Sequence, residues 1–170
     1  MAALLHGRVH KYGKNVDTDV IIPGKYLAIT EVAEMGQHAM EGIDPGFVAR
    51  VRPGDVIVAD SNFGCGSSRE NAPLAIRGAG VSAVVAKSFA RIFYRNAINI
   101  GLPIFEAPEA VDAAEAGDEL AIDPASGEIH NRTKGTTYRA AAFPPFMQSI
   151  IDAGGLRAYV ERRLLEKEPS

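Results

Sequence analysis

Three short apolar runs, Val56–Ala59, Val81–Ala86 and Leu102–Phe105, constrain this chain more than any other feature. Each is too short for a helix, and the stretches between them carry helical spacing. After the second run, Phe89, Ile92, Phe93, Ala97 and Ile100 recur at steps of three, one, four and three, the pattern of one helix face. Ser88 is the expected cap of that helix and Gly101 its stop. The preceding helix is expected to end at Gly78-Ala79-Gly80, with Ser68 or Asn71 as its cap. Residues 55–106 therefore read strand–helix–strand–helix–strand, a parallel α/β unit with right-handed crossovers. The near-continuous apolar character of Val81–Ala86 predicts a sheet covered on both faces.

Around this unit, Leu4 to Tyr12 alternates as a strand, and Gly13 to Asp19 forms a polar turn before the apolar Val20-Ile21-Ile22. Lys25 to Gly42 is expected to hold one short helix, near Glu31 to Met40. Glu119–Ile122, Glu128–His130 and Thr136–Tyr138 read as short strands, and Phe146–Ala153 and Leu156–Leu165 as helices broken at Gly154-Gly155. The predicted fold class is α/β: a mixed β sheet with a parallel βαβαβ core, flanked by helices, in one domain over residues 1–170.

Composition narrows the function. A chain of 170 residues with 46% hydrophobic and 23% charged residues has the make-up of a soluble globule. Its net charge of −3 and lack of a basic block argue against nucleic acid and anionic membranes as partners. No apolar stretch approaches the roughly 18 residues that span a bilayer. Met1 to Arg8 lacks the charged start and apolar core of a signal peptide, so a cytoplasmic location is expected. Cys65 is the single cysteine, which rules out an intrachain disulfide and leaves too few thiolates for an iron–sulfur cluster. His6, His10, His38 and His130 have no zinc-ligand spacing, so the chain is expected to bind no metal itself.

The chemistry concentrates in Asp60-Ser61-Asn62-Phe63-Gly64-Cys65-Gly66-Ser67-Ser68-Arg69-Glu70, which leaves the first strand of the unit and opens its helix. Two glycines, two hydroxyls and a guanidinium in six residues exceed what a helix cap requires. Glycines permit sharp turns and close approach of a ligand, and amides near a helix start attract anions. The composition suits a carboxylate at the carboxyl end of a strand, where open α/β sheets bind ligands.

The stretch Asn62 to Glu70 resembles the active-site loop of the aconitase-type swivel domains, and most closely that of 3-isopropylmalate dehydratase small subunits. The resemblance extends to Asn15–Pro23, Lys87–Phe93 and Arg95–Pro103, in the same order, from about Leu5 to Phe105. It implies that Ser67 is the catalytic base, that Ser68 and Arg69 bind a substrate carboxylate, and that Asp19 orients an arginine or shapes the substrate site. It implies a large subunit as partner, carrying a [4Fe–4S] cluster and the general acid. The expected reaction is isomerisation of 2-isopropylmalate and 3-isopropylmalate through isopropylmaleate, in leucine biosynthesis. Leu27, Ala28 and Ile29 fall where relatives acting on tricarboxylic substrates carry an arginine just after the position of Leu27. An apolar segment there suits an alkyl group and disfavours an extra carboxylate. The family usually has histidine after Ser-Ser-Arg-Glu, where this chain has Asn71. That departure keeps 2,3-dimethylmalate open as the substrate, with homoaconitase disfavoured by Ala28. Outside enzymes, an anion-binding module that keeps the loop without catalysis is the alternative. A serine hydrolase is weaker, since Ser67 lacks a Gly-x-Ser-x-Gly elbow. Self-association in the partner's absence stays open.

Overall fold

The computed structural model describes residues 4–141 and 143–167; Met1 to Ala3, part of the chain start weighed above, lie outside them. Strands β1 (Leu5–Lys11), β2 (Val56–Ala59), β3 (Ala83–Ala86), β4 (Ile104–Glu106), β5 (Glu119–Ile122), β6 (Glu128–Asn131) and β7 (Thr136–Arg139) form one sheet. The order is β4-β3-β2-β1-β5-β6-β7, with β1 to β4 parallel and β5 to β7 antiparallel. The expected parallel core is present, and the first strand extends it by pairing with β2 in register Val9 to Val56.

Every residue of β2 and β3 is buried, which accounts for their unbroken apolar reading. Alternate side chains point to opposite faces. Ile57, Ala59, Val84 and Ala86 pack on one side with helices α2 (Val32–Gly36), α4 (Asn71–Gly78), α5 (Arg91–Asn99) and α7 (Pro145–Ala153). Val56, Val58, Ala83 and Val85 pack on the other with α6 (Pro108–Ala113) and Ile122 and Ile129 of the antiparallel strands. The final helix, α8 (Leu156–Lys167), buries no residue.

Several local expectations are corrected. Val20 and Ile21 of the apolar run lie in a single helical turn, α1 (Thr18–Ile21), capped by the Asp17 side chain, and Ile22 is its C-cap. The helix expected near Glu31 to Met40 is only α2, and an unanticipated turn, α3 (Phe47–Arg50), precedes β2. Neither Ser68 nor Asn71 caps α4: its N-cap is Glu70, with no side-chain bond, and Pro73 sits in the first turn, where its missing N–H costs nothing. Ser88 does not cap α5 either; its hydroxyl accepts the Asn62 N–H at 2.8 Å. Among the described residues no helix is long and apolar enough to cross a membrane.

One buried carboxylate fastens β1 to the turn before β2. Asp55, 5% exposed, accepts the Arg8 and Arg52 amides at 3.1 and 3.0 Å and pairs with His10 Nε2 at 2.8 Å. Burial pushes its pKa up, but the bonds from His10, Arg52 and Arg8 outweigh this and hold the carboxyl below its ordinary value. A depressed folded pKa contributes stability above the unfolded value, about 3.9, and that contribution is lost as pH falls through the folded one. Asp55→Asn is expected to cost about 2 kcal/mol at neutral pH, with the gap to the parent narrowing below about pH 4. Urea unfolding at pH 7 and pH 3 measures both; a gap independent of pH would mean that the charge is not what Asp55 contributes.

Candidate active site

Three neighbouring parallel strands, β1, β2 and β3, end at the same edge of the sheet, and the segments that follow them meet there. Phe63 anchors the loop after β2: it is fully buried and packs edge-on against Phe93 (centroids 5.2 Å apart) and Phe89 (6.0 Å). Its amide donates to Ser88 O, and the Gly64 amide donates to Val16 O at 2.8 Å. The loop is thus tied on one side to the segment after β3 and on the other to the segment after β1.

Gly64 and Gly66 both have positive φ, +83° and +92°. A Cβ on Gly64 would lie 2.2 Å from Phe93 Cγ, and one on Gly66 would lie 2.4 Å from Asp17 Oδ2. These positions need glycine for backbone conformation and for space. Between them, Cys65 bridges to Asp17, and its O accepts the Thr18 amide. Burial and the Asp17 charge push the Cys65 thiol above its ordinary pKa, away from the thiolate form that a nucleophile needs.

Ser67 and Ser68 follow as exposed side chains. Thr18, almost fully buried, donates its Oγ1–H to Ser67 O at 2.8 Å and so fixes the backbone that carries the serine hydroxyl. Among the described residues, the amides of Gly66, Ser67, Ser68 and Arg69 donate to no protein acceptor. These N–H groups remain available as donors beside the two serine hydroxyls. The hydroxyls precede α4 by several residues, so the loop amides lie nearer to them in the chain than those of the helix start.

Arg69 is three-quarters buried or more along its side chain and is aimed by two acceptors, Asp19 Oδ1 at 2.7 Å and Ile22 O at 3.2 Å, both from Nη1. The Arg69 bond is the main reason that Asp19 titrates below its ordinary pKa. Asp19 therefore stands behind the guanidinium as its support, while the other arm of the fork stays available. Arg69→Lys is expected to raise KM at least tenfold with little change in assembly, because a single ammonium cannot keep both Asp19 and a substrate carboxylate in a fork geometry. Steady-state kinetics of the reconstituted enzyme checks this, and an unchanged KM would reject the clamp.

Thr18, Gly64, Gly66, Ser67, Ser68 and Arg69 form one wall of a cavity of about 240 Å³; Ala90, Arg91, Ile92, Phe93 and Asn96 form the other. Sequence reasoning missed Thr18, Arg91 and Asn96 and assigned Ile92 to the buried face of α5. Ile92 is half exposed and lines the cavity, next to the glycine loop. Leu27 and Ala28 are exposed, Ile29 is half-buried against the core, and none of the three lines this cavity. Asn71 Nδ2, 3.5 Å from Leu27 O, is the thread between that segment and the loop. A larger cavity, about 390 Å³ along β1, has both its carboxylates already paired, Asp44 with Arg50 and Tyr12 and Asp55 with His10, and is also lined by Arg8, Lys11 and Arg52.

Residues 49–109 match the Aconitase C-terminal domain family. The 3-isopropylmalate dehydratase small subunit of Moorella thermoacetica is 60% identical over 161 residues, 95% of this chain and 97% of that one. This chain belongs to the family of 3-isopropylmalate dehydratase small subunits. The family is one of hydro-lyase subunits, and its fold agrees: the crystal structure of 3-isopropylmalate dehydratase (leuD) from Methanocaldococcus jannaschii superposes with a TM-score of 0.93 at 48% identity, over 97% of this chain and 98% of that one. The 2,3-dimethylmalate dehydratase small subunit of Eubacterium barkeri is 59% identical over 154 residues, 91% of this chain and 94% of that one. Members named for different malates stand equally close, so the choice of substrate rests on the site.

Proposed function

We propose that this chain is the small subunit of a cytoplasmic, two-subunit dehydratase that interconverts 2-isopropylmalate and 3-isopropylmalate through isopropylmaleate, in leucine biosynthesis. The observation that carries this reading is the wall of Ser67, Ser68 and Arg69 over four free amides, facing an apolar Ile92 across one cavity. In such a dehydration a proton leaves the carbon next to a carboxylate, and negative charge grows on that carboxylate in the transition state. Ser67 Oγ takes the proton. A serine hydroxyl is a poor base in water, so Ser67 acts as its alkoxide, which nearby donors and positive charge, supplied by the loop amides and Arg69, must stabilise. Ser68 Oγ and the free arm of Arg69 hold the carboxylate, and Asp19 keeps the guanidinium in place.

This chain's own donors do not fit a [4Fe–4S] cluster: Cys65 is its one thiol, and among the described residues no three or more of His, Cys, Asp and Glu gather as a metal site. In this reading the cluster, and the acid that protonates the departing hydroxyl, belong to the large subunit. Leu27, Ala28 and Ile29 offer no cation for a third carboxylate, and the cavity's apolar side chain suits an alkyl substituent.

The dimethylmalate reading has its own support in the Eubacterium barkeri relative. Mixing this chain anaerobically with its large subunit and following absorbance with 2-isopropylmalate, 2,3-dimethylmalate and homocitrate separates the two. Turnover of isopropylmalate only in the mixture is expected. Preference for dimethylmalate would keep the mechanism and correct the substrate; preference for homocitrate would overturn the alkyl pocket.

A further inference from the structure

We infer that α8 is the arm by which this chain docks on its large subunit, through an apolar stripe of Leu156, Val160 and Leu164 bordered by arginines. This rests on the two-subunit reading above and goes beyond it by naming the surface and the chemistry of what covers it. The helix itself calls for a partner. Near its start, Ala158 and Tyr159 are half-buried, and the Tyr159 ring meets Phe146 edge-on at 5.6 Å. From Glu161 to Lys167 every residue is exposed, so the second half of α8 is helical without packing on the body. A helix of this length is marginal alone in water and is held chiefly by an apolar face that packs. Such a face is present and uncovered: Leu156, Val160 and Leu164 recur at steps of four along one side, and are 38%, 44% and 59% exposed.

Charge and position select the occupant. α8 carries Arg157, Arg162, Arg163 and Lys167 against Glu161 and Glu166, a basic helix on a chain of net charge −3. Arg157 and Arg163 flank the stripe on either side; Arg157 also meets Glu161 at 3.4 Å, an exposed pair that holds it loosely. A second copy of this chain would match the leucines but not these charges. An antiparallel pair centred on Val160 sets Leu156 opposite Leu164 but Arg157 opposite Arg163, and a parallel pair sets each arginine beside its own copy. An apolar groove with an acidic rim fits both the stripe and its borders. The large subunit is positioned to supply it. A groove of about 400 Å³ between α4, α5 and the start of α8 is lined by Glu70, Leu74, Arg77, Asn99, Leu156 and Arg157. Glu70 directly follows Arg69, and Asn99 shares a side of α5 with Ile92 and Asn96 of the substrate cavity. In the proposed reaction the large subunit brings the acid and so lies over Ser67 and Arg69. A surface that continues from there along this groove reaches α8.

The test is sedimentation velocity of this chain titrated with its large subunit, comparing the parent with Val160→Glu, Leu164→Glu and Leu165→Glu. Leu165 is 72% exposed but points away from the stripe. Val160→Glu and Leu164→Glu are each expected to raise the Kd between subunits about 10–100-fold, the loss of a buried branched aliphatic contact, and to leave the Tm of the free chain unchanged. Leu165→Glu is expected to change the Kd by no more than about twofold. At saturating large subunit the stripe variants should recover the parent kcat, since no stripe residue lines the substrate cavity. An unchanged Kd in Leu164→Glu would overturn this inference, and so would an equal loss in Leu165→Glu. A dimer of the free chain that Leu164→Glu dissolves, with affinity for the large subunit unchanged, would give the stripe to a second copy and overturn it too. If the parent does not assemble with the large subunit, the two-subunit reading falls and this one with it. If it assembles but turns over no malate, the reaction falls alone, and the Kd values still decide the docking surface.

Discussion

Ser67→Ala is expected to reduce turnover of the reconstituted enzyme by on the order of 10³-fold, within the range for loss of a positioned general base. The two subunits should still assemble. The structure separates these outcomes because the loop is held through its backbone and not through the serine hydroxyl. Thr18 Oγ1 donates to Ser67 O, the Thr18 amide to Cys65 O, and the Gly64 amide to Val16 O, and alanine leaves all three intact. Loss of kcat with little change in KM is the signature, since Ser68 and Arg69 remain to hold the carboxylate. Absorbance of the unsaturated intermediate under anaerobic conditions gives the rate, and sedimentation gives the assembly. Normal turnover would remove Ser67 from proton transfer and leave Ser68 as the hydroxyl to examine. A raised KM at constant kcat would make Ser67 a binding group.

How far such a site can be read without coordinates depends on the sequence distance its contacts cover. The unit from Val56 to Phe105 was legible because its pattern is local: apolar runs the length of strands alternate with helical spacing. The glycine loop was legible as the candidate site from its own residues. The framework behind it was not. Thr18 lies 49 residues from Ser67, and Asp19 lies 50 from Arg69, so nothing in the periodicity of either segment couples them. Family resemblance pointed to Asp19 as orienting an arginine or shaping the site, and the ion pair identifies that arginine as Arg69. Ile92 shows the complementary failure. Its spacing from Phe89 and Phe93 fits a buried face, yet it lines an open cavity against a loop that is distant in sequence. Helix starts failed for a related reason: Ser68 and Ser88 are good caps by type, but tertiary bonds and loop geometry claim them first.

Gly64→Ala is expected to destabilise the chain by about 3 kcal/mol or more, lowering Tm by roughly 6–12 °C in a domain of this size. Two costs combine. A φ of +83° is unfavourable for any L side chain, by about 1–2 kcal/mol. The new methyl would also sit 2.2 Å from Phe93 Cγ, closer than any packing allows. Phe93 cannot retreat freely, because its ring packs edge-on against Phe63 and stacks on Phe89. Gly117 provides the internal standard: its φ is +89°, but a Cβ there meets nothing within 4 Å. Gly117→Ala therefore carries the conformational cost without the clash and should fall by about 1 kcal/mol. The excess at Gly64 measures how tightly the loop is pressed on α5. Shrinking the ring should relieve it, so Gly64→Ala with Phe93→Leu is expected to lose less than the sum of the single changes. Thermal unfolding of the four variants decides the matter. Equal losses at Gly64 and Gly117 would mean that the two walls of the cavity are not in rigid contact. If they are, Gly64→Ala also shifts the loop that carries Ser67 against α5, and the reconstituted enzyme should lose activity at temperatures where the variant is still folded.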